Sequence, residues 1–328
     1  MFKHLLIAVD GTPASEQAAE VGLAWARRTN SRLVFAHVIE ERGLQAQIET
    51  KQRFGQSFLE AWVRVAQQQG FEAKLALLRG TNIAQALADV AELEHCDLIV
   101  MGTHGREGLP RLLQGSVAER VAQLTSIPVL FVRHAIQTRT PNFDHLLVAI
   151  DLDEITDPVL DQAAEVARQL GSTLEVLHVL PDAGVPLYAI ETGAAWDPNH
   201  EAEKMRLEGE DLIAAAWTRI RSRPFDPKML DIRQVPAKGI GIQHVILREA
   251  AAKNVGLIVI GTNARRGLEK FLLGSIAESL LHHADVPVLV VRPHEVTQAA
   301  QTPKLETTAF IGTRTLVKDH KRAERRSR

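Results

Sequence analysis

The chain is poor in cysteine and in aromatic side chains: one cysteine and one tyrosine among 328 residues, with aromatics at 5%. A single cysteine, Cys96, excludes an internal disulfide and fits a reducing compartment. No apolar run approaches the roughly 20 residues that span a bilayer. The apolar stretch 5–9 before Asp10 is too short for a signal-peptide core. The expected location is therefore the cytoplasm, without a membrane partner. Several strong catalytic motifs are also missing. There is no G-x4-G-K-[ST], no G-x-G-x-x-G after a strand, no G-x-S-x-G, no H-E-x-x-H and no paired C-x-x-C. Without a P-loop lysine or a marked base, an efficient NTPase is not expected. The expectation is no catalytic residue and no metal site.

What the chain does contain is a duplication. Residues 102–116 read GTHGREGLPRLLQGS, and residues 261–275 read GTNARRGLEKFLLGS, an offset of 159. Residues 128–133 (PVLFVR) recur at the same offset as 287–292 (PVLVVR), and Gly80 recurs as Gly239. Upstream the offset is 141: residues 6–10 (LIAVD) match 147–151 (LVAID), and His37-Val38 matches His178-Val179. The second copy thus carries 18 extra residues, expected as a loop between Pro181 and Pro198, where proline and glycine cluster. A repeat of this length is a whole domain rather than a solenoid unit. With 45% hydrophobic residues, the chain can bury two cores. Domains are expected at 1–134 and 143–294.

The net charge is −2, unevenly spread. Residues 314–328 hold seven Lys/Arg and two Asp/Glu, leaving about −7 for the rest. The segment 295–328 has no clear apolar period and is expected to be a disordered basic tail. It lacks interleaved aromatics, so a solvated extension is the favoured reading and nucleic acid is not the expected partner.

Along the first copy, apolar and β-branched runs at 5–9, 32–39, 71–78, 97–101 and 129–133 read as strands. Helical spacing covers the intervals up to 29, then 49–69, 83–94 and 116–124. In the helix at 49–69, Phe54, Phe58, Ala61, Trp62 and Val65 form the expected core face. Strict alternation of strand and helix predicts an α/β protein: two tandem doubly wound domains, each a five-stranded parallel sheet with helices on both faces. Ligands of such sheets bind outside the carboxyl ends of the strands. Asp10, Val38 and Gly102 all lie at such ends. The glycine segment after the fourth strand leads into a helix N-terminus, a ready phosphate site.

At these residues the chain resembles the universal stress protein family in its tandem two-domain form. Nucleotide-binding members carry G-x2-G-x9-G-[ST] between the fourth strand and the fourth helix, and Gly102, Gly105, Gly115 and Ser116 match it completely. The resemblance covers about 1–134 and 143–294 and implies strand order 3-2-1-4-5. It also implies an ATP site, with or without Mg. Val9, Asp10 and Val38 would hold the nucleoside; Gly102, Gly105, Gly115, Ser116 and Val117 would hold the phosphates. The second site would use Ile150, Asp151, Val179, Gly261, Gly274, Ser275 and Ile276. There the second motif glycine is Ala264, and Asp153 and Glu154 add negative charge, so the first domain is expected to bind better. Arg106 and Arg111 are electrostatic helpers rather than assigned ligands.

For a lone aspartate after a strand, a plain turn role would be favoured; the neighbouring glycine loops favour a ligand role for Asp10 and Asp151. His37 and His178 are expected to pack and hydrogen-bond at strand ends, not to bind metal. His104 has Asn263 as its counterpart, which argues against a shared catalytic role. Three functions stay open: an ATP-binding stress-response regulator or sensor, which is favoured; an interaction scaffold without nucleotide; and a slow ATP hydrolase. The short apolar fifth strands are expected to pair with each other within the chain. Homo-oligomerisation through other faces stays open.

Overall fold

A computed structural model describes residues 2–41, 45–103, 117–133, 142–151, 156–182, 197–262, 273–292, 308–311 and 314–316. Two compact units emerge, residues 1–136 with 294–328, and residues 137–293. The extra residues of the second copy are not all in the expected loop: residues 181–197 replace the shorter connection 41–44 and fall mostly outside the described residues, and residues 222–229 replace the shorter 69–72.

The first unit runs β1 (His4–Ala8), α1 (Pro13–Thr29), β2 (Arg32–Glu40), α2 (Gln45–Gln68), β3 (Ala73–Gly80), α3 (Ile83–Leu93), β4 (Leu98–Thr103), α4 (Val117–Leu124) and β5 (Val129–Arg133). Its five strands are parallel in the order β3-β2-β1-β4-β5. The second unit repeats the plan with β6 (His145–Ile150), α5 (Thr156–Leu170), β7 (Thr173–Leu180), α6 (Pro198–Arg221), β8 (Leu230–Pro236), α7 (Ile242–Ala252), β9 (Leu257–Gly261), α8 (Ser275–His283) and β10 (Val288–Val291). Its order is β8-β7-β6-β9-β10, again parallel. Central strands read as nearly continuous buried apolar runs, Leu5–Ala8 and Leu98–Met101 among them, because helices cover both faces of a parallel sheet.

Helix α1 shows how local sequence sets these boundaries. Thr12 caps it, accepting from the Ser15 amide, and Pro13 opens its first turn. Asn30 ends it in the left-handed region, its amide returning to the Ala26 carbonyl at 2.7 Å. Its small-residue face lets it lie close to the sheet: a Cβ on Gly22 would sit 2.6 Å from Ile7 Cδ1. Cys96 is buried, and burial, then the nearby Glu94 and Asp97, push its thiol up to about 12. It packs as an inert small hydrophobe.

Two expectations are corrected. The core face of α2 is not Phe54, Phe58, Ala61, Trp62 and Val65. Its buried positions are Gly55, Leu59 and Ala66, with Trp62 half-buried against Phe35 and Phe54 and Val65 left exposed. The cause is Gly55, which has no side chain to hold the helix away from His37 and Leu77. The segment expected to be a disordered tail contains two strands, β11 (Thr308–Ile311) and β12 (Arg314–Leu316). They form an antiparallel pair, and β11 pairs antiparallel with β3 from Ala76 to Arg79. An apolar stretch of β3, residues 75–78, would otherwise be an open edge.

The second unit carries a buried charge network with no equivalent at Val34, which lies at the matching position of the first. Glu175 on β7 is fully buried. Its Oε1 accepts from Arg233 Nε at 2.6 Å, and its Oε2 faces Lys253 Nζ at 3.1 Å and His145 Nε2 at 3.5 Å. Arg233 also reaches Glu249 at 2.8 Å, Lys253 reaches Asp231 at 2.8 Å, and His145 Nδ1 donates to the Lys253 carbonyl at 3.1 Å. Burial alone would raise the Glu175 pKa, but hydrogen bonds from His145, Arg233 and Lys253 outweigh it and hold the group down at about 2, against an ordinary 4.5. His145 is raised above 6.5, chiefly by its bond to Glu175.

A depressed carboxylate stabilises the fold fully above its unfolded pKa and loses that contribution as pH falls through the folded value. His145 acts in the opposite sense, its contribution being lost as pH rises through its raised pKa. Glu175→Ala should therefore cost the second unit about 3 kcal/mol at pH 6, read by thermal unfolding. The gap to wild type should shrink as pH falls from about 5 towards 2; a gap independent of pH would contradict the network.

Candidate functional site

The parallel register brings distant residues to one edge of each sheet. Ala8 pairs with Ala36 on one side and Met101 on the other. Val9 and Asp10 therefore leave the sheet beside His37, Val38 and Gly102. The Val9 amide still donates to the Ala36 carbonyl at 2.9 Å. In the second unit, Ala149 pairs with Leu177 and with Ile260, so Ile150 and Asp151 emerge beside His178, Val179 and Gly261. These are the strand carboxyl ends where ligands of open parallel sheets bind.

Each edge is tied by one repeated hydrogen bond. His37 Nδ1 donates to the Val9 carbonyl at 2.8 Å, and His178 Nδ1 donates to the Ile150 carbonyl at 3.2 Å. A carbonyl only accepts, so both rings carry a proton on Nδ1. Both histidines thus hydrogen-bond at strand ends as their positions suggested. His178 Nε2 is buried with no hydrogen-bond partner among the described residues.

Asp10 is exposed and begins a tight turn. Its Oδ1 accepts from the Thr12 amide at 3.0 Å and the Thr12 hydroxyl at 2.6 Å. Gly11 takes φ +80°, a conformation natural to glycine. Ser15 Oγ accepts from the Asp10 amide at 3.2 Å and donates to the Thr12 carbonyl at 2.9 Å. Asp10 therefore has a turn role in the folded chain besides any contact with a ligand. Asp151 is likewise exposed, and the Thr156 hydroxyl donates to its carbonyl.

The glycine segments are described only at their ends. Gly105, Gly115 and Ser116, with His104, Arg106, Arg111, Ala264, Asp153 and Glu154, lie outside the described residues. Gly102 and the exposed Val117 bracket the first segment. Gly261, Gly274, Ser275 and Ile276 bracket the second. Gly274 has φ +87°, and among the described residues nothing lies within 4 Å of the place a Cβ would take and no side chain caps α8. The first intrahelical bond runs from the Glu278 amide to the Gly274 carbonyl, so the amides of Ser275, Ile276 and Ala277 have no partner within the helix. Such a helix N-terminus attracts anions.

A profile of the Universal stress protein family matches residues 1–133 and 142–292. The chain belongs to the universal stress protein family. A universal stress protein of Mycobacterium tuberculosis strain H37Rv is 25% identical over 305 residues, covering 88% of this chain and 96% of that protein. Universal stress protein A homolog 1 of Coxiella burnetii is 35% identical over 150 residues, covering 46% of this chain and 96% of its own length. The crystal structure of a universal stress protein from Archaeoglobus fulgidus shares the fold, with a TM-score of 0.64, 20% identity, and coverage of 89% of this chain and 97% of that one. The matches to the Mycobacterium protein and the Archaeoglobus structure thus run along nearly the full length of both chains, whereas the Coxiella protein matches about half of this chain. Among the described residues no helix is long and apolar enough to cross a membrane.

Sequence reasoning passed over two features of the site. One is Gly55, a glycine within a helix, which is itself a signal of close approach. The other is a second role for Gly102. A Cβ there would sit 2.6 Å from the backbone carbonyl of Ala14 and 2.8 Å from the Ser15 nitrogen. The start of α1 presses directly on the end of β4, so this motif glycine is required by packing as well as by any phosphate. Gly102→Ala should lower the stability of the nucleotide-free protein by roughly 1–3 kcal/mol, measured by thermal unfolding. Unchanged stability would show that the glycine serves the ligand alone.

Proposed function

We propose that the first unit binds ATP at the carboxyl edge of its sheet and that nucleotide occupancy regulates partner binding in a stress response. The observation that carries this reading is the convergence of Val9, Asp10, Val38 and Gly102 at one strand-end edge, with the complete glycine motif continuing from it into α4. Val9 and Val38 would supply apolar contact to the nucleoside, and Asp10 an acceptor for ribose hydroxyls. Gly105, Gly115, Ser116 and Val117 would supply backbone amides and one hydroxyl to the phosphates.

The conformation of the second copy of the motif supports the fit. Gly274 has a positive φ at a helix start that, among the described residues, no side chain caps and nothing crowds within 4 Å of a Cβ, a geometry that suits a backbone phosphate cradle. The second unit, through Ile150, Asp151, Val179, Gly261, Gly274, Ser275 and Ile276, is the weaker site on this reading, because its sequence has Ala264 in place of a motif glycine and adds Asp153 and Glu154 after the first strand. Among the described residues no three His, Cys, Asp or Glu side chains gather into a metal-binding group. Mg, where it accompanies the triphosphate, would be held mainly by phosphate oxygens and water. The alternative is a scaffold that works without nucleotide. It draws support from the Asp10–Ser15 turn, in which Asp10 already accepts from the Thr12 amide and hydroxyl and so has a structural role of its own.

Isothermal titration separates the two. Wild type should bind ATP. Gly115→Val, which puts a branched side chain where phosphate meets backbone, should abolish binding in the first unit. Asp10→Ala should weaken it about tenfold, the worth of one hydrogen bond. Equal affinity of Gly115→Val and wild type would overturn the phosphate assignment.

A further inference from the structure

Phe54 is the most exposed large hydrophobic residue among those described, at 61%, yet it is held in a defined place. Its neighbour Gly55 lets α2 approach the sheet: a Cβ on Gly55 would lie 2.7 Å from His37 Cδ2 and 3.1 Å from Leu77 Cδ1. His37 in turn bonds the Val9 carbonyl. Helix α2 is thereby fixed to the ends of β1 and β2, where Val9, Asp10 and Val38 stand.

From that position the Phe54 ring reaches the β1–α1 turn. Its Cε1 and Cζ come within 3.9 and 4.0 Å of the place a Gly11 Cβ would take, one residue beyond Asp10. Phe58 stacks on it with ring centroids 6.0 Å apart and planes 7° from parallel, which fixes the ring plane. Scattered exposed apolar residues are ordinary on protein surfaces. Here, however, the exposed ring is oriented by a second aromatic and lies beside Gly11 in the turn that carries Asp10. In the second unit, the buried glycine of α6 is Gly209, and the residue before it is Glu208, a carboxylate where the first unit has a ring.

We infer that Phe54 is a specificity-determining residue of the first unit, a wall on which the base of a bound purine nucleotide stacks. The inference rests on the ATP reading given above. A flat, polarisable ring favours any nucleobase through its π-face, and a larger base gains more from the overlap. The second unit has the Glu208 carboxylate at the matching helix position, so this mode of base recognition belongs to the first unit.

The test is isothermal titration of ATP and CTP into the full chain as wild type, Phe54→Ala and Phe54→Trp. The two nucleotides share ribose and triphosphate and differ in the base. Phe54→Ala should weaken ATP binding by about 5- to 100-fold, and the ATP-to-CTP affinity ratio should fall. Phe54→Trp should keep ATP affinity, and ATP should quench the introduced indole's fluorescence beyond any change in wild type. Wild-type ATP affinity in Phe54→Ala would overturn the inference while leaving ATP binding intact. So would an equal loss for both nucleotides with the ratio unchanged, since that marks a merely structural role. So would an unquenched indole in a variant that binds ATP. A wild-type chain that binds no ATP would overturn this inference together with the reading beneath it.

Discussion

In each unit the first strand lies between the second and the fourth in parallel register, and that constraint brings three distant segments of chain to one edge. Ala8 is level with both Ala36 and Met101, and Ala149 with both Leu177 and Ile260. The aspartate after the first strand, the His-Val of the second and the glycine after the fourth therefore meet wherever this register holds. The histidine bond to the last carbonyl of the first strand repeats in both units and ties two of the three segments. In the first unit Gly102 ties the third, because the start of α1 occupies the space its side chain would need.

The duplicated units have kept this edge and changed what lies away from it. At the amino-terminal ends of its strands the second unit has placed Glu175, Arg233, Lys253, Glu249, Asp231 and His145 in one network. Such a cluster adds specificity more readily than stability, because burying charge costs much of what pairing returns. Its edge strand β8 carries Asp231, Arg233 and a terminal Pro236, residues that discourage pairing with a further strand. The first unit's edge strand β3 is apolar over 75–78 and is paired with β11 instead. The two units manage the same hazard differently.

Much of this was legible in the sequence. The alternation of strand and helix and the duplication follow from apolar period and repeat offsets, because a parallel sheet covered on both faces imposes strong patterns; the strand order comes from the family resemblance. Less local features were not. The face of α2 could not be read from its aromatics, since a single helix glycine rotated the contact towards Gly55, Leu59 and Ala66. Glu175 sits in a strand where an alternating reading leaves a charge outside, and only its partners on β6, β8 and α7 make its burial tolerable. The strands at 308–311 and 314–316 carry no period of their own and depend on the edge they join. Gly102 matched the motif, but its packing role depends on a helix 88 residues earlier in the chain.

The central claim is that the strand-end edge of the first unit is an adenine-nucleotide site, and the most direct measurement is mass spectrometry of small molecules released from the purified, denatured protein. The account predicts that ATP, or a product of it, is released from wild type and is lost when the first glycine segment is disrupted. Release of no nucleotide, together with no binding when ATP is added back, would contradict it.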